Sequence, residues 1–348
     1  MKLSFVSSTA LATSLRQTIN QSQTRLITAS TEATTGTYAD LGASLGSGAA
    51  TSINLRTAID QAASLKANNS VVSVRLDASQ SALSSLQDVA DSLVSNLTAL
   101  QGSQDSTSLT VAQQSASDTI SQLISSANTM VNGEYLFAGT NVDVAPLTDQ
   151  SASVTSAISD ALQSYAAGLG KSVNELTGDE MTTFISDTVE PMFSEAAWTD
   201  SSSGWSSASS TNMTSRISTS ETVTSSTNAN SEGMRYLALA ATVISAIGSQ
   251  DISADALSAV TSSAISYASQ ASSALVTQQS VLGLSQERVE KANDALDAQS
   301  SLLTTRLTDL QGVDTYEAST LVNTLQTQLE TAYTLVSKLQ SLSLVNYL

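Results

Sequence analysis

The chain has no cysteine and no histidine. Without cysteine there is no disulfide framework and no thiolate chemistry, which suits a cytosolic protein and one exported in reduced form equally well. Without either residue the usual zinc sites and nucleophile–base pairs are unavailable, leaving Ser, Lys, Tyr and carboxylates. Lysines are few and serines so abundant that proximity to one carries little information, so the chain is expected not to be an enzyme and to need no cofactor or metal. Only two prolines, Pro146 and Pro191, occur in 348 residues, which leaves long stretches free of the strongest helix breaker. Aromatic residues make up 4% of the chain against 41% hydrophobic residues in all, so burial must rest on Ala, Leu, Val and Ile, a palette suited to thin helical layers.

Positive charge is scarce as well. There are 13 basic residues against 31 acidic, a formal net charge of -18, and no Lys or Arg between Arg75 and Lys171. An acidic surface without clustered cations repels nucleic acid and anionic lipid, so neither is an expected partner. After Met1-Lys2-Leu3-Ser4-Phe5-Val6 the chain turns polar, which predicts no cleaved secretory signal. The most apolar run, Leu237 to Ile247, is interrupted by Thr242 and Ser245 and is too short to span a bilayer, so no membrane insertion is expected.

What the chain does have is periodicity. Leu55, Ala58, Ala62, Leu65, Asn69, Val72, Leu76, Ser79, Leu83, Leu86, Ala90, Leu93, Leu97 and Leu100 follow alternating steps of three and four, a heptad seam that keeps one stripe facing a partner. Asn69 and Ser79 are its polar interruptions; a buried Asn at such a seam can fix register, and a locally wet contact is the equal alternative. Gly102 and the polar run after it break the pattern. Val111, Ser115, Ile120, Leu123, Ile124, Ala127 and Met130 then place apolar residues on one face of a second helix, predicting an antiparallel hairpin with the first.

The other end repeats the arrangement. Leu275, Leu282, Val289, Leu296, Leu303 and Leu310 recur every seven residues, preceded by Leu257, Val260, Ala264, Tyr267, Ala271 and Ala274. Gly312 and Asp314 mark a break. A last helix then carries Leu325, Leu329, Val336, Leu339 and Leu342, with Leu321 and Leu335 beside them, more apolar surface than one contact strip needs. Residues 1–34 show a weaker stripe through Leu11, Leu15, Ile19, Leu26 and Ala33, marginal as an isolated helix. Both termini are therefore expected to order fully only on assembly.

Between the arms, residues 141–231 hold both prolines, both tryptophans and the Ser-rich run Ser201 to Ser210, with alternation near Thr214 to Thr224. The pattern predicts a small mixed α/β domain. The fold class expected is thus mainly α: a long-helix, coiled-coil-like bundle of N- and C-terminal arms with a small inserted domain. Its divisions are an assembly segment and joint at 1–50, an N-terminal arm at 51–140, the inserted domain at 141–231, a C-terminal arm at 232–312 and an assembly helix at 313–348. Gly42, Gly46 and Gly48 lack the Lys-Ser/Thr pair of a phosphate loop and predict a flexible joint between helices. Asp179, Glu180, Glu190 and Glu195 lack the spacing of a calcium loop, and Thr177 before them predicts a helix start.

The second arm helix ends near Asn132-Gly133-Glu134-Tyr135-Leu136-Phe137-Ala138-Gly139-Thr140. Asn132 and Gly133 tolerate the positive φ of a helix stop, Tyr135, Leu136 and Phe137 can anchor the exit segment, and Gly139 allows a turn, so these residues are expected to frame the domain. The segment resembles the junction motif of the FlgL family, flagellar hook-associated protein 3, within the flagellin superfamily. Leu342-Ser343-Leu344-Val345-Asn346-Tyr347-Leu348 is similar to that family's terminal sequence, and Asn212 to Ser218 with Thr227 to Ser231 resembles the middle region of alphaproteobacterial members. Thr35 to Gly42 departs from the basic, Pro-containing, doubly acidic loop of many members.

The resemblance implies an extracellular adaptor at the hook–filament junction of the bacterial flagellum, exported unfolded by the type III apparatus without a cleaved signal peptide. Implied partners are copies of itself in a ring, hook-associated protein 1 on the hook side, flagellin, and the export apparatus with its chaperone. The rivals are a flagellin that builds the filament and a surface adhesin or carbohydrate-binding module, the latter supported only by Trp198, Trp205 and the polar middle.

Overall fold

A computed structural model describes residues 8–345. Residues 1–7, which bear on the expected absence of a signal peptide, and 346–348, which close the terminal motif, lie outside the described residues. The helices are α1 (Ser8–Thr35), α2 (Leu41–Leu45), α3 (Gly48–Ser103), α4 (Ser106–Ala127), α5 (Ser151–Gly168), α6 (Gly178–Phe184), α7 (Glu195–Trp198), α8 (Glu232–Ile247), α9 (Ala254–Gln311) and α10 (Thr315–Val345). Two antiparallel hairpins join β1 (Met130–Val131) to β2 (Glu134–Tyr135) and β3 (Thr214–Arg216) to β4 (Thr222–Thr224). The protein is mainly α, as its periodicity predicts, with long helices packed together and two small sheets.

Two compact units divide it. The first takes residues up to Ser64 and from Ala295 onward, and the second is Leu65–Asp294, so α3 and α9 contribute to both.

In the first unit α1 packs along α10, burying Ile19, Ala29, Ala318, Leu325 and Leu329. Gln23 Nε2 donates to the Tyr333 hydroxyl at 2.7 Å. So many Thr residues fit a helix because their hydroxyls donate to carbonyls one turn back: Thr18 to Ser14, Thr24 to Asn20, Thr320 to Tyr316 and Thr324 to Thr320. The breaks after α1 and α9 are paired. Tyr38 N donates to Gln311 O and Val313 N to Gly36 O, both at 3.0 Å, around an antiparallel bridge between Thr37 and Gly312. Gln311, itself buried, also donates through Nε2 to Ser52 Oγ and accepts from Arg56 at 3.2 Å. The stretch Gly36 to Ala50, expected as a flexible joint, instead contains α2, whose N-cap Asp40 accepts from Ala43 N at 2.9 Å. A cap and a backbone bridge hold the segment that glycine content alone suggested was loose.

In the second unit α3 and α9 run antiparallel, with polar rungs at the edge of the seam. Gln101 donates to Ser262 (2.8 Å), Ser272 to Asp91 (2.9 Å), Gln80 to Gln279 O (2.7 Å) and Gln286 to Asp77 (2.6 Å). The order of partners reverses from one helix to the other. On α4 the buried face is Ala112, Ala116, Thr119, Ile120, Leu123 and Ala127, while Val111 and Met130 of the expected stripe are exposed. Ile120, Leu123 and Ala127 are on the buried face as expected, whereas its first half sits one residue on, at Ala112 and Ala116, where α4 lies against α8 and alanines permit close approach. Helix α8 is the apolar run Leu237 to Ile247, buried on nearly every side between α4 and α5. Among the described residues no helix is long and apolar enough to cross a membrane.

The middle region folds as α5, α6, a π-helical turn at Ile185–Val189, a 3-10 turn at Glu190–Phe193, α7 and the β3–β4 hairpin. Its core is an aromatic stack in which Trp198 and Trp205 lie 5.5 Å apart at 9°, with Phe193 tilted on both. Both indoles are buried. They fill a core and offer no surface on which a sugar could stack, which removes the feature that favoured a carbohydrate-binding module.

Candidate functional site

The segment 128–140 is tied to the rest of the second unit at several points. Helix α4 ends at Asn128, whose Nδ2 donates to Leu147 O at 2.8 Å and whose Oδ1 accepts from Leu147 N at 2.9 Å. The carboxamide thus pairs with Leu147 as a neighbouring strand backbone would and holds it beside the end of the helix. Asn132 and Gly133, expected to stop that helix, do something else. With φ of 54° and 86° they form the two-residue turn of the β1–β2 hairpin, where Val131 pairs with Glu134. Positive φ at both centres gives the twist that a two-residue hairpin needs, and Asn-Gly supplies it at least cost. The positive φ was legible in the residue types; its use was not, because four intervening residues already leave the helix.

Arg75 of α3 holds the hairpin from below. Its guanidinium pairs with Glu134 Oε2 at 2.5 Å and donates to Tyr135 O at 3.1 Å. Beyond the turn, Leu136, Phe137, Ala138 and Gly139 are buried, whereas Tyr135 is half-buried and Thr140 exposed. Ala229 N donates to Phe137 O (2.8 Å) and Ser209 N to Ala138 O (3.0 Å), so the segment is stitched to two distant stretches. Gly139, at φ 61°, runs so close to Ser209 and Thr211 that a Cβ would press into both carbonyl oxygens.

Val72, Leu76, Leu83, Leu86, Leu93 and Leu97 on α3, and Leu275, Leu282, Val289 and Leu296 on α9, are buried. Leu65, Leu303 and Leu310 are half-buried. Asn69 is fully buried, and its Nδ2 donates to Asn293 Oδ1 at 2.8 Å and Ile217 O at 2.9 Å. Arg288 adds a second tie to the same hairpin, pairing with Glu221 at 2.8 Å. On α10, Leu325 and Leu329 are buried, Val336 is half-buried, and Leu321 and Leu335 are exposed. The side chains of Leu339 and Leu342 lie outside the described residues.

Arg75 and Gln311 have anchoring parts that sequence reasoning missed. Arg75 carried a signal, as the last cation before a long stretch with none; Gln311 carried none.

The shifted ionisations have structural causes. Asp105 is held below the usual carboxylate range by Ser108 N at the start of α4. Glu175 and Glu180 are lowered as well, Glu175 by Ser172 and Glu180 first by Lys171 and then by Thr177 N. Thr177 and Glu180 form the reciprocal cap that starts α6, so the expected helix start is there. Burial pushes the Tyr267 phenol up, and its hydroxyl donates to Glu190 Oε2 at 2.7 Å. These carboxylates serve as caps or ion-pair partners, which is framing chemistry.

The bacterial flagellin N-terminal helical region matches residues 6–142, and the bacterial flagellin C-terminal helical region matches residues 265–348. No curated protein matches the sequence. The hairpin motif falls inside the first region, α10 inside the second, and residues 143–264 lie outside both. With these two helical regions in order along its length, the chain is a flagellin-like protein of the flagellin superfamily, a family of structural, non-enzymatic flagellar components.

Proposed function

We propose that the protein is a structural adaptor at the hook–filament junction, of the hook-associated protein 3 type and the alphaproteobacterial kind. The observation that carries this reading is the similarity of residues 342–348 to that family's terminal sequence, where flagellins differ. In this reading the protein is exported through the flagellum and joins a ring of its own copies. Hook-associated protein 1 lies on the hook side and flagellin beyond. Residues 1–50 and 313–348 are its assembly segments, 51–140 and 232–312 its arms, and 141–231 its outward domain. Support for assembly comes from apolar groups left exposed on α1 and α10, among them Ile27, Tyr316, Leu321 and Leu335.

A filament subunit is the second reading, because both matched helical regions are those of flagellin itself. Deleting the gene separates the two. The adaptor reading expects hooks without filaments and flagellin lost to the medium. Growth of purified protein into long filaments on its own would assign it to the filament instead.

A further inference from the structure

We propose that Asn132 is a latent deamidation site, held in check by the hairpin it forms and exposed to reaction whenever that hairpin opens. Asn132-Gly133 is the only Asn-Gly step in the sequence. At such a step the absence of a following side chain lets the next backbone nitrogen reach the asparagine carboxamide. The Gly133 nitrogen attacks Cγ of Asn132 and a new C–N bond forms. The bond from Cγ to Nδ2 breaks, and ammonia leaves with the proton the backbone nitrogen gives up. Water then opens the cyclic imide at either carbonyl, yielding aspartate or isoaspartate.

Both residues are exposed, and nothing lies within 4 Å of where a Gly133 Cβ would stand, so water and base have free access. What restrains the reaction is torsion. Ring closure must rotate the backbone between Asn132 and Gly133 to bring the Gly133 nitrogen onto the Asn132 Cγ, and the Val131–Glu134 pair with Arg75 on Glu134 holds that backbone in its two-residue turn. The two Asn-Ser steps, where the following side chain is small but slows the attack, are protected differently. Asn69 is buried within α3, and Asn230, also buried, donates to Ala208 O and Ser210 Oγ. Asn132 alone combines the labile step with full exposure.

The product has a structural consequence. Isoaspartate adds one backbone carbon between positions 132 and 133, and a two-residue loop so lengthened no longer matches the strand register. The Val131–Glu134 pair and the Arg75 contacts to Glu134 and Tyr135 depend on that register. Aspartate, by contrast, tolerates the same turn.

The test is to incubate the full-length protein for weeks in mildly alkaline buffer, folded and in concentrated urea, and to map ammonia loss and isoaspartate by peptide mass spectrometry. In urea, Asn132 is expected to react first; in the folded protein its rate should fall by about tenfold or more, since reaction waits on local opening. Equal rates in the two states, or another asparagine reacting ahead of Asn132 in urea, overturn the proposal. The isolated isoaspartyl form should also lose amide protection at 130–136 while Asn132→Asp retains it, and equal protection in both would refute the register argument.

Discussion

Asn69 Nδ2 on α3 donates to Asn293 Oδ1 on α9 at 2.8 Å and to Ile217 O of the β3–β4 hairpin at 2.9 Å, so one carboxamide on a mostly apolar seam joins three segments. The donor side of this carboxamide is paired at one alignment of the helices and left unpaired at others, which favours a single register. Asn69→Ala strands the Ile217 carbonyl and the Asn293 side chain. It should destabilise the protein by about 1–3 kcal/mol, read from urea unfolding. Asn69→Leu restores volume and should still be less stable than the parent, because both partners stay unpaired. A more stable leucine variant would show that the contact is not needed to keep Ile217 and Asn293 satisfied.

Leu83 and Leu296 are almost wholly enclosed, one in each unit. Leu83→Asp and Leu296→Asp each place a carboxylate on an apolar seam, at an expected cost of about 3–5 kcal/mol. Thermal unfolding unchanged from the parent in both variants would show the seams to be misassigned.

Gly133 and Gly139 share positive φ but not surroundings. Gly133→Ala meets open space and bears only the cost of a left-handed alanine, about 1–2 kcal/mol. Gly139→Ala must also displace the Ser209 and Thr211 backbone, so its loss of stability should be clearly larger. Equal melting temperatures for the two variants would contradict the close approach at Gly139.

Asp200 accepts from Ser202 and Ser203 through both hydroxyls and both backbone amides, which holds its pKa at about 2. A folded pKa below the unfolded value means the turn's contribution is complete above about pH 4 and is lost as pH falls toward 2. Carboxyl-carbon NMR should therefore show Asp200 titrating near pH 2, and Asp200→Asn should flatten that part of the acid-stability curve. A midpoint near 4 would mean that the four donors are not engaged in solution.

Deleting residues 321–348 removes most of the surface on which α1 rests. Assembly should be lost, while amide protection persists over 65–100 and 257–292, whose apolar residues share the core of the second unit. Loss of protection across that core would show the units to be interdependent.

The long helices were legible because burial on one side of a helix writes a period of 3.6 or 3.5 into the sequence, and the Leu55–Leu100 and Leu275–Leu310 spacings carry it. Composition likewise spoke against an enzyme, and Thr177 followed by Glu180 announced a helix start. The alanine face of α4 was harder to read, since a stripe of small residues has little periodic hydrophobicity of its own and is selected by how closely α8 approaches.

Neighbours along the chain therefore fix only local features: which stretches are helical, which side of most of them is apolar, and where Asn132 and Gly133 take positive φ. Packing between distant segments set the rest, so that this pair turns a hairpin while Asn128 caps the helix. The same packing stacks Trp198 and Trp205 in a core continuous with the bundle and brings Gln311, Ser52 and Tyr38 together. The reason is physical: period and propensity follow from neighbours in the sequence, whereas the partner of a buried carboxamide or carbonyl depends on segments 19 to 259 residues away.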